Sequence, residues 1–139
     1  MYLTYEEYQN MGGTLDETTF NDFEFEAETC INWLTFDRLK AYTSYPEEVK
    51  KCTYKIIQLV KMRYDTLASS SSGGETTTTA STIASQSNDG VSVSYNILSA
   101  DKVFDTLKTE IDDIINRYLA GVKDSLGRKL LYRGIYPNE

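Results

Sequence analysis

Apolar residues recur at spacings of three and four along three long stretches of the chain, the periodicity of helices that each bury one face. In the first stretch the stripe is Phe20, Phe23, Ala27, Cys30, Ile31 and Leu34. Thr14 or Asp16 is the expected cap, and acidic residues crowd the first turns, where the helix dipole favours them. Trp33 and Phe36 fall off the stripe and are expected to pack near the helix end. In the second stretch Val49, Cys52, Ile56, Leu59 and Val60 repeat behind a start signal. Pro46 suits the first helical position there, and Glu47 and Glu48 suit the first turn. Lys50, Lys51, Lys55 and Lys61 read as a solvated basic face on the other side. The third stripe is the widest: Phe104, Leu107, Ile111, Ile114, Ile115, Tyr118, Leu119 and Val122, capped by Ser99 and ended by Gly121 or Gly127. A shorter helix opens the chain in "TYEEYQNMGG". Thr4 and Glu7 have the spacing of a capping box, and Gly12-Gly13 suits a left-handed stop. The expected fold is mainly α, a small bundle of about four helices in a single domain over residues 1–139.

Between the second and third stripes the pattern fails. Residues 68–90 are dominated by Ser, Thr and Gly and read as a flexible loop inside the domain. At its end Asn88-Asp89-Gly90 is a hairpin-turn signal, and Val91, Val93 and Tyr95 alternate with Ser92 and Ser94 at the strand period. A short β-hairpin is therefore expected before the last long helix, and an isolated hairpin needs another surface to rest on. That makes Ser87, Asn88, Asp89, Gly90, Val91, Val93 and Tyr95 candidate contact residues. The end of the chain, 128–139, is short, aromatic and basic. Leu130, Leu131, Tyr132, Arg133, Ile135 and Tyr136 are expected to dock on something, either a partner or the chain's own bundle.

Charge and composition narrow the function. The chain has 139 residues and a net charge of −7, the wrong sign for a dedicated binder of bare nucleic acid. The charge is uneven. No Lys or Arg precedes Arg38, whereas four basic residues face Asp124 between Lys123 and Arg133. Such polarity suits contact between copies, or a tail folded onto its own acidic helix. There is no histidine, which removes the commonest general base and nitrogen metal ligand. Asp112-Asp113 and Glu6-Glu7 are adjacent pairs that do not converge on a helix. Asp22, Glu26 and Glu28 lack the spacing of a calcium loop. No catalytic residue, metal site or cofactor is expected, and the chain does not read as an enzyme. Cys30 and Cys52 lie on apolar stripes and read as buried, reduced thiols. The N-terminus is acidic rather than a signal peptide, and no apolar run reaches membrane-spanning length. A soluble chain made in a reducing cytoplasm is expected.

Three stretches together resemble one family. "YLTYEEYQNMGGTLDETTFNDFEFEAETCINWLTFDRL", "SQSNDGVSVSYN" and "YLAGVKDSLGRKLLYRGIYPN" are similar, in order and spacing, to the head–tail connector (adaptor) proteins of tailed bacteriophages, particularly phages of Gram-positive hosts. The Ser/Thr run from Ser69 to Thr82 is longer and simpler than that family's loop. The resemblance implies a helical bundle with a long loop before its last helix, no enzyme activity and no cofactor. It implies a twelve-fold ring of neighbouring copies beneath the portal protein in the virion neck, joining head to tail and extending the DNA channel. A stopper or tail-completion protein is the implied next partner, and genomic DNA passes without sequence-specific binding. Two other readings compete: a tail-completion or stopper protein, and a non-viral helical adaptor that binds one bacterial protein.

Overall fold

A computed structural model describes residues 1–71, 85–88, 91–94, 100–124 and 126–134, with side chains outside 69–71, 85–88, 91–94 and 100–104. The elements in chain order are α1 (Tyr5–Asn10), α2 (Glu17–Thr35), a 3-10 turn (Arg38–Ala41), α3 (Glu47–Ser71), β1 (Ser85–Asn88), β2 (Val91–Ser94) and α4 (Ala100–Leu119). The chain is a small, mainly helical bundle. α3 is its centre, packing on α4 along one side and on α2 along the other, while α1 closes over α2.

Each boundary has a local cause. Thr4 accepts from the Glu7 amide and Glu7 reaches back to the Thr4 amide, so both halves of the capping box are present. Gly12 ends α1 at φ +93°, and Gly13 lies so close to Tyr8 that a Cβ would sit 2.2 Å from its ring. Tyr8 in turn accepts from the amides of Thr14 and Leu15, which fixes the entry to α2. Asp16 caps α2 through the Thr19 amide, and those bonds hold its carboxyl below the usual range. α3 begins at Glu47, with the Pro46 carbonyl accepting from Val49 and Lys50.

The stripes become the core. Phe20, Ala27 and Ile31 from α2, Val49, Cys52, Ile56, Ile57 and Val60 from α3, and Ile111, Ile115 and Leu119 from α4 are buried. Phe23, Cys30, Leu34, Leu59, Leu107, Ile114, Tyr118 and Val122 pack partly buried against them. Buried Thr35 and Thr53 return their hydroxyls to Ile31 and Val49 carbonyls, as a helix interior requires. Cys30 and Cys52 are both free thiols, and burial pushes Cys52 up to about 12.

Three expectations change. α3 runs through Ser71, so the start of the segment read as a loop at 68–90 is helical. Its end, Ser85–Asn88, is a strand. Helix propagation needs only one backbone bond per added residue, so a polar composition does not stop it. The hairpin is present: β1 pairs antiparallel with β2, Gln86 opposite Val93 and Asn88 opposite Val91. Asp89, Gly90, Tyr95 and Ser99 lie outside the described residues, as does the side chain of Phe104. The third change is that Trp33 and Phe36 do not pack at the end of α2. They are 80% and 54% exposed.

Candidate functional site

The feature that the core leaves unexplained is the outer face of α2. Phe25, Thr29, Trp33 and Phe36 repeat at four, four and three residues, so they share one face, opposite Ala27 and Ile31. Phe25 is 70% exposed. With Lys40 and Arg133 these aromatics line an open groove of about 770 Å³. Large aromatics seldom cluster in water on a monomer without use. The same face carries Asp22 and, beside Phe25, Glu26 one turn further on. Partial burial and the neighbouring Asp22 push the Glu26 carboxyl up, as expected for like charges one turn apart.

The end of α2 is built to aim this face and to hold the tail beside it. Phe36 (φ 53°) and Asp37 (φ 59°) are both left-handed, and their amides return to the Asn32 carbonyl. Each such non-glycine residue costs about 1 kcal/mol. The double turn swings Arg38 under the Phe36 ring, 5.3 Å from its centroid. From there the Arg38 guanidinium donates to three tail carbonyls: Leu130 at 3.0 Å, Tyr132 at 2.6 Å and Gly134 at 3.1 Å. Upstream, Asp124 shapes the turn that feeds the tail. It accepts from the Leu126 and Arg128 amides and from the Arg128 guanidinium. Burial alone would raise the Asp124 carboxyl, but those bonds outweigh it and the pKa is lowered. Gly127 at φ +77° completes the turn.

The tail expectation is corrected at one residue and divided at the others. Leu130 is fully buried in the chain's own core and is withdrawn as a partner contact. Leu131 packs half-buried beside it. Tyr132 is 49% exposed and Arg133 is exposed on the aromatic groove. Ile135 and Tyr136 lie outside the described residues. Of the hairpin candidates, Ser87 and Asn88 fall on β1 and Val91 and Val93 on β2.

Two anchors escaped the sequence reading. Glu24 is 3% exposed, and its Oε1 accepts from the Tyr2 amide at 2.5 Å and the Leu3 amide at 3.4 Å. Burial raises its pKa while the two amides oppose that rise. It sits on the inner face of α2, where periodicity would have allowed an apolar residue. The only signal was that a Glu interrupts an apolar stripe. Arg38 gave less: a lone Arg after "LTFD" does not reveal carbonyls 92 to 96 positions away.

A second groove, of about 520 Å³, lies between the Gly12-Gly13 turn and the outer face of α3, lined by Tyr54, Gln58, Met62 and Thr66 among others. Among the described residues no group of acidic or thiol side chains is arranged to hold a metal ion. No helix among them is long and apolar enough to cross a membrane. Comparison of the chain with protein-family models, with curated proteins and with solved structures gives no match.

Proposed function

We propose that the protein is a structural component of a tailed-phage virion, a head–tail connector. Its copies form a ring under the portal in the neck, join the DNA-filled head to the tail and extend the DNA channel. The observation that carries this reading is the aromatic face of α2, with Phe25 and Trp33 70% and 80% exposed beside a clamped tail. A subunit that must hold neighbours and a portal needs apolar surface that its own core does not consume. The resemblance of three segments to connector proteins points the same way. In this reading the β1–β2 hairpin is the portal contact, pairing or packing on the partner. Tyr132 and Arg133 are the exposed described tail residues, placed to meet a neighbour or a stopper protein. The acidic first third, turned to the lumen, repels passing DNA. Assembly needs no catalytic step and no cofactor, and synthesis in the host cytoplasm precedes incorporation.

The test is the solution mass of the protein alone and after mixing with the portal protein of the same genome. A saturating, portal-bound ring is the expected result. A folded protein that never binds the portal would overturn the reading. Replacing Val91, Val93 and Tyr95 together by Asp is expected to abolish portal binding while the helical circular dichroism stays unchanged.

A further inference from the structure

The outer faces of α2 and α3 are largely exposed, with only Tyr54 partly buried, against Tyr8 of α1, and their side chains are complementary in one register. On α2 the order is Asp22, Phe25, Glu26, Thr29, Trp33. On α3 it is Lys51, Tyr54, Lys55, Gln58, Met62. The spacings are identical, and a constant offset of 29 residues relates each member of the first set to one of the second. Laid parallel, the two faces oppose Asp22 to Lys51 and Glu26 to Lys55, then Phe25 to Tyr54 and Trp33 to Met62. An antiparallel arrangement would set the charges against the apolar residues.

We propose that this face of α2 docks on the outer face of α3 of a second copy of this chain, parallel and in that register.

Four observations carry it. Asp22, Glu26, Lys51 and Lys55 are all exposed, and among the described residues no ion pair joins either acid to a Lys or Arg. Opposite charge at matched spacing fixes direction and register. Met62 is 53% exposed, and a thioether is a favourable partner for an aromatic ring. The α3 face is concave: Tyr54, Gln58 and Met62 line the 520 Å³ groove, which gives the projecting Trp33 and Phe25 a place to enter. Within one molecule the two faces cannot meet, because α2 and α3 pack through their opposite, buried sides.

The contact joins two different faces, so it is head-to-tail. Each copy keeps one free α2 face and one free α3 face, and repetition closes a ring or extends a filament. It concerns this chain alone and stands whether or not the protein binds a portal. One helix face of about three turns, about 17 Å long, is small for a protein interface, so association without further partners is weak.

Trp33 is the only tryptophan and lies at the C-terminal end of the proposed contact, opposite Met62, which makes the experiment direct. Its emission and the sedimentation mass are followed together on the full chain from about 1 μM to about 1 mM, a range that covers weak self-affinity. The expected result is exposed-tryptophan emission at low concentration that shifts to the blue as mass rises. Asp22→Lys with Glu26→Lys, or Lys51→Glu with Lys55→Glu, should each weaken association by about tenfold or more. The four changes in one chain, or the two double variants mixed, should restore it. Circular dichroism checks that the variants are folded. Any of three results would overturn the proposal: no rise in mass by about 1 mM, charge reversal without effect, or reversal without rescue. So would blue emission in the dilute monomer that turns red on truncation after Gly134, because the chain's own tail would then be the occupant. Portal binding by a chain that fails these tests would sink the helix pairing and leave the connector reading standing.

Discussion

The two faces of α2 are nearly equal in apolar content and opposite in fate. The inner face places Phe20, Ala27 and Ile31 at no exposure, with Glu24 as its one charged member. The outer face places Phe25, Trp33 and Phe36 in water, with Asp22 and Glu26 on the same side. Side chains of the same class thus serve different ends according to whether α3 lies against them. The inner face stabilises the fold by burial. The outer face contributes little to the monomer and is held ready by two strained residues and an arginine clamp.

That contrast can be broken from either side. The largest effect is expected on the inner face. Ile31→Ala should cost about 3–4 kcal/mol, removing a fully buried side chain and leaving a cavity, and urea unfolding would read it directly. Glu24→Ala should follow at about 2–3 kcal/mol, because two amides of the N-terminal segment lose their acceptor inside the bundle. Glu24→Gln sharpens this point. It keeps the accepting oxygen without the charge, so stability near wild type would show that the group acts as an acceptor rather than as an anion.

Arg38→Ala comes next, with an expected loss of about 2 kcal/mol and faster amide exchange from Leu130 to Gly134. Arg38→Lys should recover only part, since a single ammonium cannot span carbonyls in the way a planar fork does. Unchanged exchange in Arg38→Ala would mean that Leu130 burial alone holds the tail.

A smaller effect is set by pH. Glu7 on α1 bonds Lys50 on α3 at 2.5 Å, and this contact, with the Thr4 amide, lowers the Glu7 pKa from its ordinary 4.5. The folded protein therefore releases that proton more readily than the unfolded chain. The stabilisation is complete above the ordinary glutamate value and is lost as pH falls from there through the lower, folded value. Lys50→Met should flatten this acid limb in thermal melts between about pH 5 and pH 2. The smallest effect on stability belongs to the outer face: Trp33→Ala should stay within about 0.5 kcal/mol of wild type while abolishing the concentration-dependent mass increase.

Helices were legible wherever a cap and a stripe coincided. Thr4 with Glu7, a cap at Thr14 or Asp16, and the stripes of α2, α3 and α4 could be read because caps and periodicity are local physics, decided within a few residues. The hairpin could also be read, from the Asn88-Asp89-Gly90 turn signal and the alternation of Val91 and Val93 with serines. The polar start of the segment at 68–90 misled, because composition predicts a loop while an established helix extends over Ser69, Ser70 and Ser71 at little cost. Trp33 and Phe36 misled for a different reason. Periodicity shows that a residue lies off the main stripe, but not whether another element covers that side.

The sequence by itself determined the helices, their inner faces, the uneven charge and the aromatic, basic character of the tail. Each of these follows from residue type and near spacing along the chain. Only the tertiary structure decided that Leu130 is core, that Glu24 is a buried acceptor, that Arg38 grips a segment more than 90 residues away and that the aromatic side of α2 faces water. The physical reason is common to all four. Burial and long-range hydrogen bonding depend on what lies across the gap between elements, and that neighbour is fixed by the packing of the whole bundle rather than by any stretch of chain read alone.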